Sequence, residues 1–446
     1  MPHRQNHLLA GVAAGLIAAG LLLLAGPGSA QQGPRRLFPD IAPPPQERPV
    51  LPPASPAPLG PVPASPAQPD RIRVESLSPP TLAALGVASA EDVLGGAIWS
   101  QGAPPDLPLL LQRLPTNIAE PTLRGLQKAV LLAPGLDRGG SREIFFLRVD
   151  RLLAMGEPEA ALELLGLVPE SDRDPELEGK RVLARFAADQ TDAACAAASA
   201  QQAATSPWPE ARLVCAALAR DAGAVETGLD LLEARGQKLD PLLTELLRAA
   251  PGDHRVTLPA RVPDDPLFLP LLRRVPLDVD AAAVARLPAP VRQTLAVNKD
   301  VPAVARAAAG APVRVGPSVR PELNGRAPAD WRSAFASVPA ERRGLWTALV
   351  DGLGLELPDA IWAELVRDPQ KPEAAAPDLA LWRGFEVARL QDQRGAMLLY
   401  VLLLLDGRPE AAAPVSVRRA LDALVGMGLS STAKALAAGA GGAAGL

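Results

Sequence analysis

The sequence predicts an all-α protein. It reads as stacked helical hairpins (an α-solenoid) with a second helical lobe, preceded by a signal peptide and a disordered Pro-rich linker. Three observations carry that expectation. Hydrophobic residues make up 48% of the 446, but aromatics only 3%. Ala and Leu supply most of the apolar content, and both are strong helix formers. Strand-rich chains lean on Val, Ile, Thr and aromatics, whereas here there is one Tyr and almost no alternating β-branched run. Finally, apolar segments of helical length, punctuated by Pro and Gly, recur along the chain from Thr81 onward.

The first 30 residues read as a signal peptide. Met1–His7 is short and polar with Arg4 as its charge, and Leu8–Ala25 is apolar and uncharged. Gly28 and Ala30 are small residues at the positions a signal peptidase requires, which places cleavage between Ala30 and Gln31. The apolar run is also nearly long enough to span a bilayer, so an uncleaved inner-membrane anchor is the alternative. Either way the chain is expected in the periplasm, or tethered to the membrane facing it. No Cys stands near the site, which excludes a bacterial lipoprotein.

Residues 31–70 hold 14 prolines, including Pro43-Pro44-Pro45. Proline removes donors and fixes φ, so a disordered linker of polyproline II character is expected. Fully extended, such a segment reaches on the order of 120 Å.

Helical structure is expected from about residue 71. Thr81–Leu85, Ala90–Trp99 and Glu120–Leu132 are short helical segments, and 71–250 reads as a helical-repeat domain, clearest at 141–236. Gly156, Ala161, Leu162, Leu164 and Leu165 recur as Gly223, Gly228, Leu229, Leu231 and Leu232 at one offset of 67 residues. Halfway between lies another small-residue helix, Asp189–Ala198. Each segment follows a helix of similar length, at 142–155, 175–188 and 208–221. The unit is therefore a helix–turn–helix of about 33–34 residues, which cannot bury its apolar face alone and must stack.

This spacing resembles the tetratricopeptide repeat. Phe145, Val149, Leu152, Ala161 and Leu165 fall where that family alternates large and small packing residues, and Gly156 sits at its inter-helix turn. The likeness covers about 100 of the 446 residues. It implies that first helices line a concave face, which would place Arg148, Arg151, Arg181, Arg185 and Arg212 where a ligand's acidic groups could meet them. The combination of signal, proline tether and degenerate helical repeats is also similar to exported proteins of GC-rich proteobacteria, a likeness that implies no activity.

Residues 251–328 carry 13 prolines and read as short helices such as Leu267–Arg274, Ala281–Arg286 and Val301–Ala309. They are either smaller irregular repeats or a joint between lobes. Longer helices return in a C-terminal lobe at 329–438: 329–337, 339–353, 358–367, 377–391, 393–406, 415–427 and 430–438. Trp331, Trp346, Trp362 and Trp382 are expected in helix–helix cores there. Met397–Leu405 is a continuous apolar run too short to cross a membrane, so it is expected to be buried all round. The Ala/Gly tail 439–446 is expected to be disordered.

Cys195 and Cys215 are the only cysteines. They fall on consecutive antiparallel helices at equal distances from the turn near Thr205–Ser206, hence at one level. In an oxidising compartment a disulfide is the expectation, with two buried thiols as the alternative.

The composition excludes several function classes. The net charge of −4 is spread evenly, without the basic stripe a nucleic-acid binder needs. Once the signal peptide is removed, His254 is the sole histidine, in a Pro/Gly-flanked loop. No zinc, nucleotide-phosphate or nucleophile-elbow motif is present. Asp264-Asp265 and Asp278/Asp280 read as solvated caps. No catalytic, cofactor-binding or metal-ligating residue is therefore assigned. The expected function is a non-enzymatic periplasmic or cell-envelope scaffold that binds a protein or peptide partner. The alternative is a cell-wall-associated enzyme or an accessory subunit of one.

Overall fold

The structure, a computed structural model, describes residues 81–136, 142–201, 203, 205–310, 317–367 and 377–446. The signal peptide, with its Ala30–Gln31 cleavage site, and the linker lie outside the described residues. Described residues form 21 α-helices, several 3-10 turns and one pair of two-residue strands. The protein is all-α, and its helix pairs stack in a manner compatible with a helical-repeat fold.

Three helices open the body: α1 (Ala88–Leu94), α2 (Leu107–Arg113) and α3 (Pro121–Leu132). Three hairpins follow: α4 (Arg142–Ala154) with α5 (Pro158–Gly166), α6 (Pro175–Ala187) with α7 (Thr191–Ala200), and α8 (Trp208–Leu218) with α9 (Ala222–Ala234). Local chemistry sets their ends. Proline opens α3, α5, α6 and α8 at the first or second position, where no amide donor is required. Glu120 and Asp174 cap the amides of Leu123 and Leu177.

The turn within each hairpin is the same. Gly156 donates to Leu153 O and Glu157 to Leu152 O; Asp189 to Phe186 O and Gln190 to Arg185 O; Arg220 to Ala217 O and Asp221 to Ala216 O. This is the Schellman arrangement, which requires a left-handed residue just past the first helix. Gly156 takes that conformation freely at φ +72°, but Asp189 and Arg220 adopt it at φ +60° and +61° with a Cβ in place.

Next come α10 (Pro241–Ala249), β1 (Val256–Thr257), α11 (Phe268–Arg274), β2 (Leu277–Asp278), α12 (Ala281–Val284), α13 (Ala289–Val297) and α14 (Ala303–Gly310). β1 and β2 pair in parallel, Val256 opposite Leu277. α11 packs on α6, α8 and α10, and α13 packs on α4 and α11. The proline-broken chain thus lies against the first helices of the hairpins. Arg273 fixes it there by donating to Phe186 O and Ala187 O at 2.7 and 2.6 Å, at the carbonyl end of α6.

The C-terminal lobe comprises α15 (Trp331–Ala336), α16 (Arg343–Gly352), α17 (Asp359–Arg367), α18 (Leu379–Leu390), α19 (Arg394–Leu405), α20 (Pro414–Gly426) and α21 (Ser430–Ala443). The same left-handed turn recurs here at Gly354, Asp392 and Gly428, 38 and then 36 residues apart. α19 is buried along its whole length from Gly395 to Leu405, flanked by α18 and α20 and by the N-terminal α2 and α3. α21 also packs on α3. The last hairpins therefore close onto the first helices. Gly395 donates to Ile98 O, Arg394 to Leu94 O and Gly95 O, and Ser318 to Ala438 O.

Two expectations are corrected. The Ala/Gly tail is ordered: α21 continues through Ala443, and the Leu446 carbonyl accepts from Ser318 Oγ at 2.8 Å. Its small residues allow close approach, and a Cβ on Gly441 would collide with Leu323. Among the tryptophans, Trp346 is fully buried and edge-on to Phe335 and Trp331, with Nε1 donating to Glu322 at 3.0 Å. Trp362, however, is 40% exposed. α17 uses Ile361 as its one buried residue and leaves Trp362 at the rim.

Candidate functional site

Of the first-helix arginines, Arg148 is not free to meet a ligand. Arg148 is fully buried and donates to four carbonyls: Leu131 at 2.6 Å, Leu85 at 2.8 Å, and Ala83 and Ala133 at 3.0 Å. Leu131 and Ala133 stand at the C-terminal end of α3, whose unpaired carbonyls carry partial negative charge. Burial without a carboxylate partner pushes the guanidinium down to about 9, so it remains charged at neutral pH. Arg151 reaches Leu114 O, Arg181 reaches Leu165 O and Glu178, Arg185 reaches Ala193 O, and Arg212 reaches Gln201 O and Ala203 O. Arg148 is thus locked among carbonyls, whereas Arg185 makes only a 3.5 Å contact at the surface and Arg151 a 3.4 Å one.

A cleft remains where the segment before α11 crosses the first helices. It encloses about 310 Å³. α4 contributes Asp150 and Leu153, α6 contributes Lys180 and Leu183, the α7–α8 loop contributes Ser206 and Pro207, and Asp264–Leu269 forms the opposite wall. Asp150 and Lys180 lie 30 residues apart, close to one repeat, which brings them together as an ion pair at 2.5 Å. Lys180 is the lone cation in that lining, set against Asp150, Asp264 and Asp265.

Asp264 and Asp265 form no ion pair among the described residues. Asp265 Oδ1 accepts from Leu267 N at 2.9 Å, so it does cap the turn into α11. Asp265 is half-buried and Asp264 stands exposed at the mouth, and the protein packed behind them desolvates both carboxyls and pushes both above the ordinary carboxylate range. Arg151 pulls Asp264 back in part, while Glu210 and Asp240 push Asp265 further. Asp264 keeps water contact at the mouth, which softens the effect. Sequence reasoning took these two residues as solvated caps and did not single out Asp150 or Lys180. The one legible signal was the repeat-length spacing of the latter pair.

Cys195 on α7 and Cys215 on α8 are joined in the structure, with Cα atoms 5.6 Å apart. α7 has little else to hold it. It buries only Ala194 and Ala198, whereas α9 buries Val225, Leu229 and Leu232, and α5 buries five residues including Leu164 and Leu165. Two alanine methyls contribute roughly 1.5 kcal/mol of burial. A cross-link closing a loop of this length contributes about 3 kcal/mol.

His254 is exposed in the turn after α10. Among the described residues no group of three or more His, Cys, Asp or Glu side chains is placed to hold a metal ion. Nor is any described helix long and apolar enough to cross a membrane. Comparison with known proteins returns no matching family model, no matching curated protein and no matching solved structure.

Proposed function

We propose that the chain is a non-enzymatic scaffold of the cell envelope, exported by its N-terminal signal, and that it binds a protein or peptide partner on the first-helix side of a tetratricopeptide-like hairpin array. The observation that supports this reading is the cleft. Its walls carry the apolar side chains of Leu153, Leu183, Pro207 and Leu269, and its three carboxylates, Asp150, Asp264 and Asp265, outnumber the one lining cation, Lys180, which is paired with Asp150. Such a site suits a lysine or arginine side chain, whose aliphatic stem takes the walls and whose charge takes Asp264 and Asp265. The partner in this reading is basic, the reverse of what an arginine-lined groove would select.

A photo-crosslinking residue placed at Ser206 in the full chain, in intact cells, tests the proposal. The expected result is a partner adduct at Ser206 that is absent when the same residue replaces Leu231 on exposed α9, and that is reduced by D264N/D265N. Equal adducts at both positions, or adducts indifferent to the two asparagines, would sink it. A wall-polymer digestion assay on the same protein separates it from a cell-wall enzyme: hydrolysis lost in D264N/D265N would reverse the assignment.

A further inference from the structure

We infer that the Cys195–Cys215 bridge is a redox-operated latch on α7, opened by a dithiol reductant, rather than a staple for the whole fold. The inference does not depend on the partner proposed above. It rests on the contrast between α7 and its neighbours. α7 lies in the middle of the array, yet its buried side chains are two alanines, while the equivalent helices before and after it each seat two leucines, Leu164 and Leu165 in α5 and Leu229 and Leu232 in α9. The covalent link from α7 to α8 is the pair of cysteines, both only partly buried and so within reach of an attacking thiolate.

The chain leaving α7 is held in the same indirect way. Gln201 O and Ala203 O are both fixed by Arg212 of α8, three residues before Cys215. Ser206 and Pro207, which close the cleft, lie inside the loop that the bridge ties off. With the bridge intact, α7, this loop and the cleft wall form one unit with α8. With it open, α7 keeps only its alanine packing on α6 and α8, while α4–α6 and α19 keep all of theirs. A thiolate of the dithiol attacks one sulfur to give a mixed disulfide and a Cys thiolate. The second thiol of the reductant then displaces the other cysteine. One disulfide is reduced to two thiols, the dithiol is oxidised to its disulfide, and two electrons and two protons change hands.

Hydrogen exchange read by mass spectrometry on the full chain tests this, with dithiothreitol as the dithiol and no denaturant. Peptides covering 191–207 should exchange at least about tenfold faster after reduction. Peptides from α4 and α19 should not change, and reoxidation should restore protection. The variant C195S/C215S should reproduce the reduced pattern without reductant. Unchanged exchange over 191–207, or equal acceleration in α4 and α19, would overturn the latch, as would failure of dithiothreitol to release two countable thiols from the folded protein.

Discussion

Arg148→Met separates a structural arginine from a ligand-binding one. The methionine refills much of the stem's volume but leaves Ala83, Leu85, Leu131 and Ala133 carbonyls without their donor. Each carbonyl that water cannot reach costs about 1–3 kcal/mol. Against this, the variant no longer has to strip a guanidinium of its water, a saving of several kcal/mol. The net expectation is a loss of about 3–5 kcal/mol, the range for breaking a buried charged contact on one side. At about 2.1 cal/mol/K per residue, that lowers Tm by roughly 4–7 °C for a body of this size. Arg148→Lys should recover less than half of the loss, because one ammonium cannot fork to four acceptors. Calorimetry on the full chain, with urea unfolding followed by circular dichroism, measures both. A Tm within about 1 °C of the parent for the methionine variant would show that the carbonyls do not need Arg148, and the clamp argument would fail.

Asp264 and Asp265 have carboxyls raised by burial, so the folded state binds protons more readily than the unfolded chain. Stability then falls as pH rises from the ordinary 3.8 through the raised values, and D264N/D265N should unfold at a higher urea concentration than the parent at pH 7 but at the same concentration at pH 3. Arg220→Gly relieves a left-handed residue with a Cβ, worth about 1–2 kcal/mol, and gives back about half through unfolded-state entropy. The urea midpoint should therefore rise slightly, since the exposed Arg220–Asp253 pair contributes little. Leu402→Ala, at a fully buried position of α19, should cost about 2–5 kcal/mol, read as a drop in Tm.

The hairpins at 142–234 were legible because the large and small residues that face each other are close in sequence and repeat. The second run of left-handed turns, at Gly354, Asp392 and Gly428, was harder to see, because its spacings of 38 and then 36 residues depart from the 33–34 residues read in the first. The tail was misread for a physical reason. Ala and Gly carry almost no apolar area, so composition alone implies disorder, but their smallness is what lets α21 lie close against Ser318 and Leu323. The arginines were placed on the correct helices, yet the carbonyls that occupy them belong to segments up to 65 residues away. No local pattern encodes that pairing. The cleft was hidden for the same reason, since Asp264 meets Asp150 and Lys180 only through the path of a proline-broken segment over the first helices.

The contact of α19 and α21 with α2 and α3 governs when this molecule can finish folding. A chain threading outward from its N-terminus presents α2 and α3 about 300 residues before the helices that cover them. Until Arg394–Leu405 and then Ser430–Ala443 emerge, α2 lacks one and α3 two of the helices that pack on them. The hairpins between can assemble one after another, but this contact forms last, and a truncated product lacking its final helix would leave α3 with one cover missing and more open to proteases.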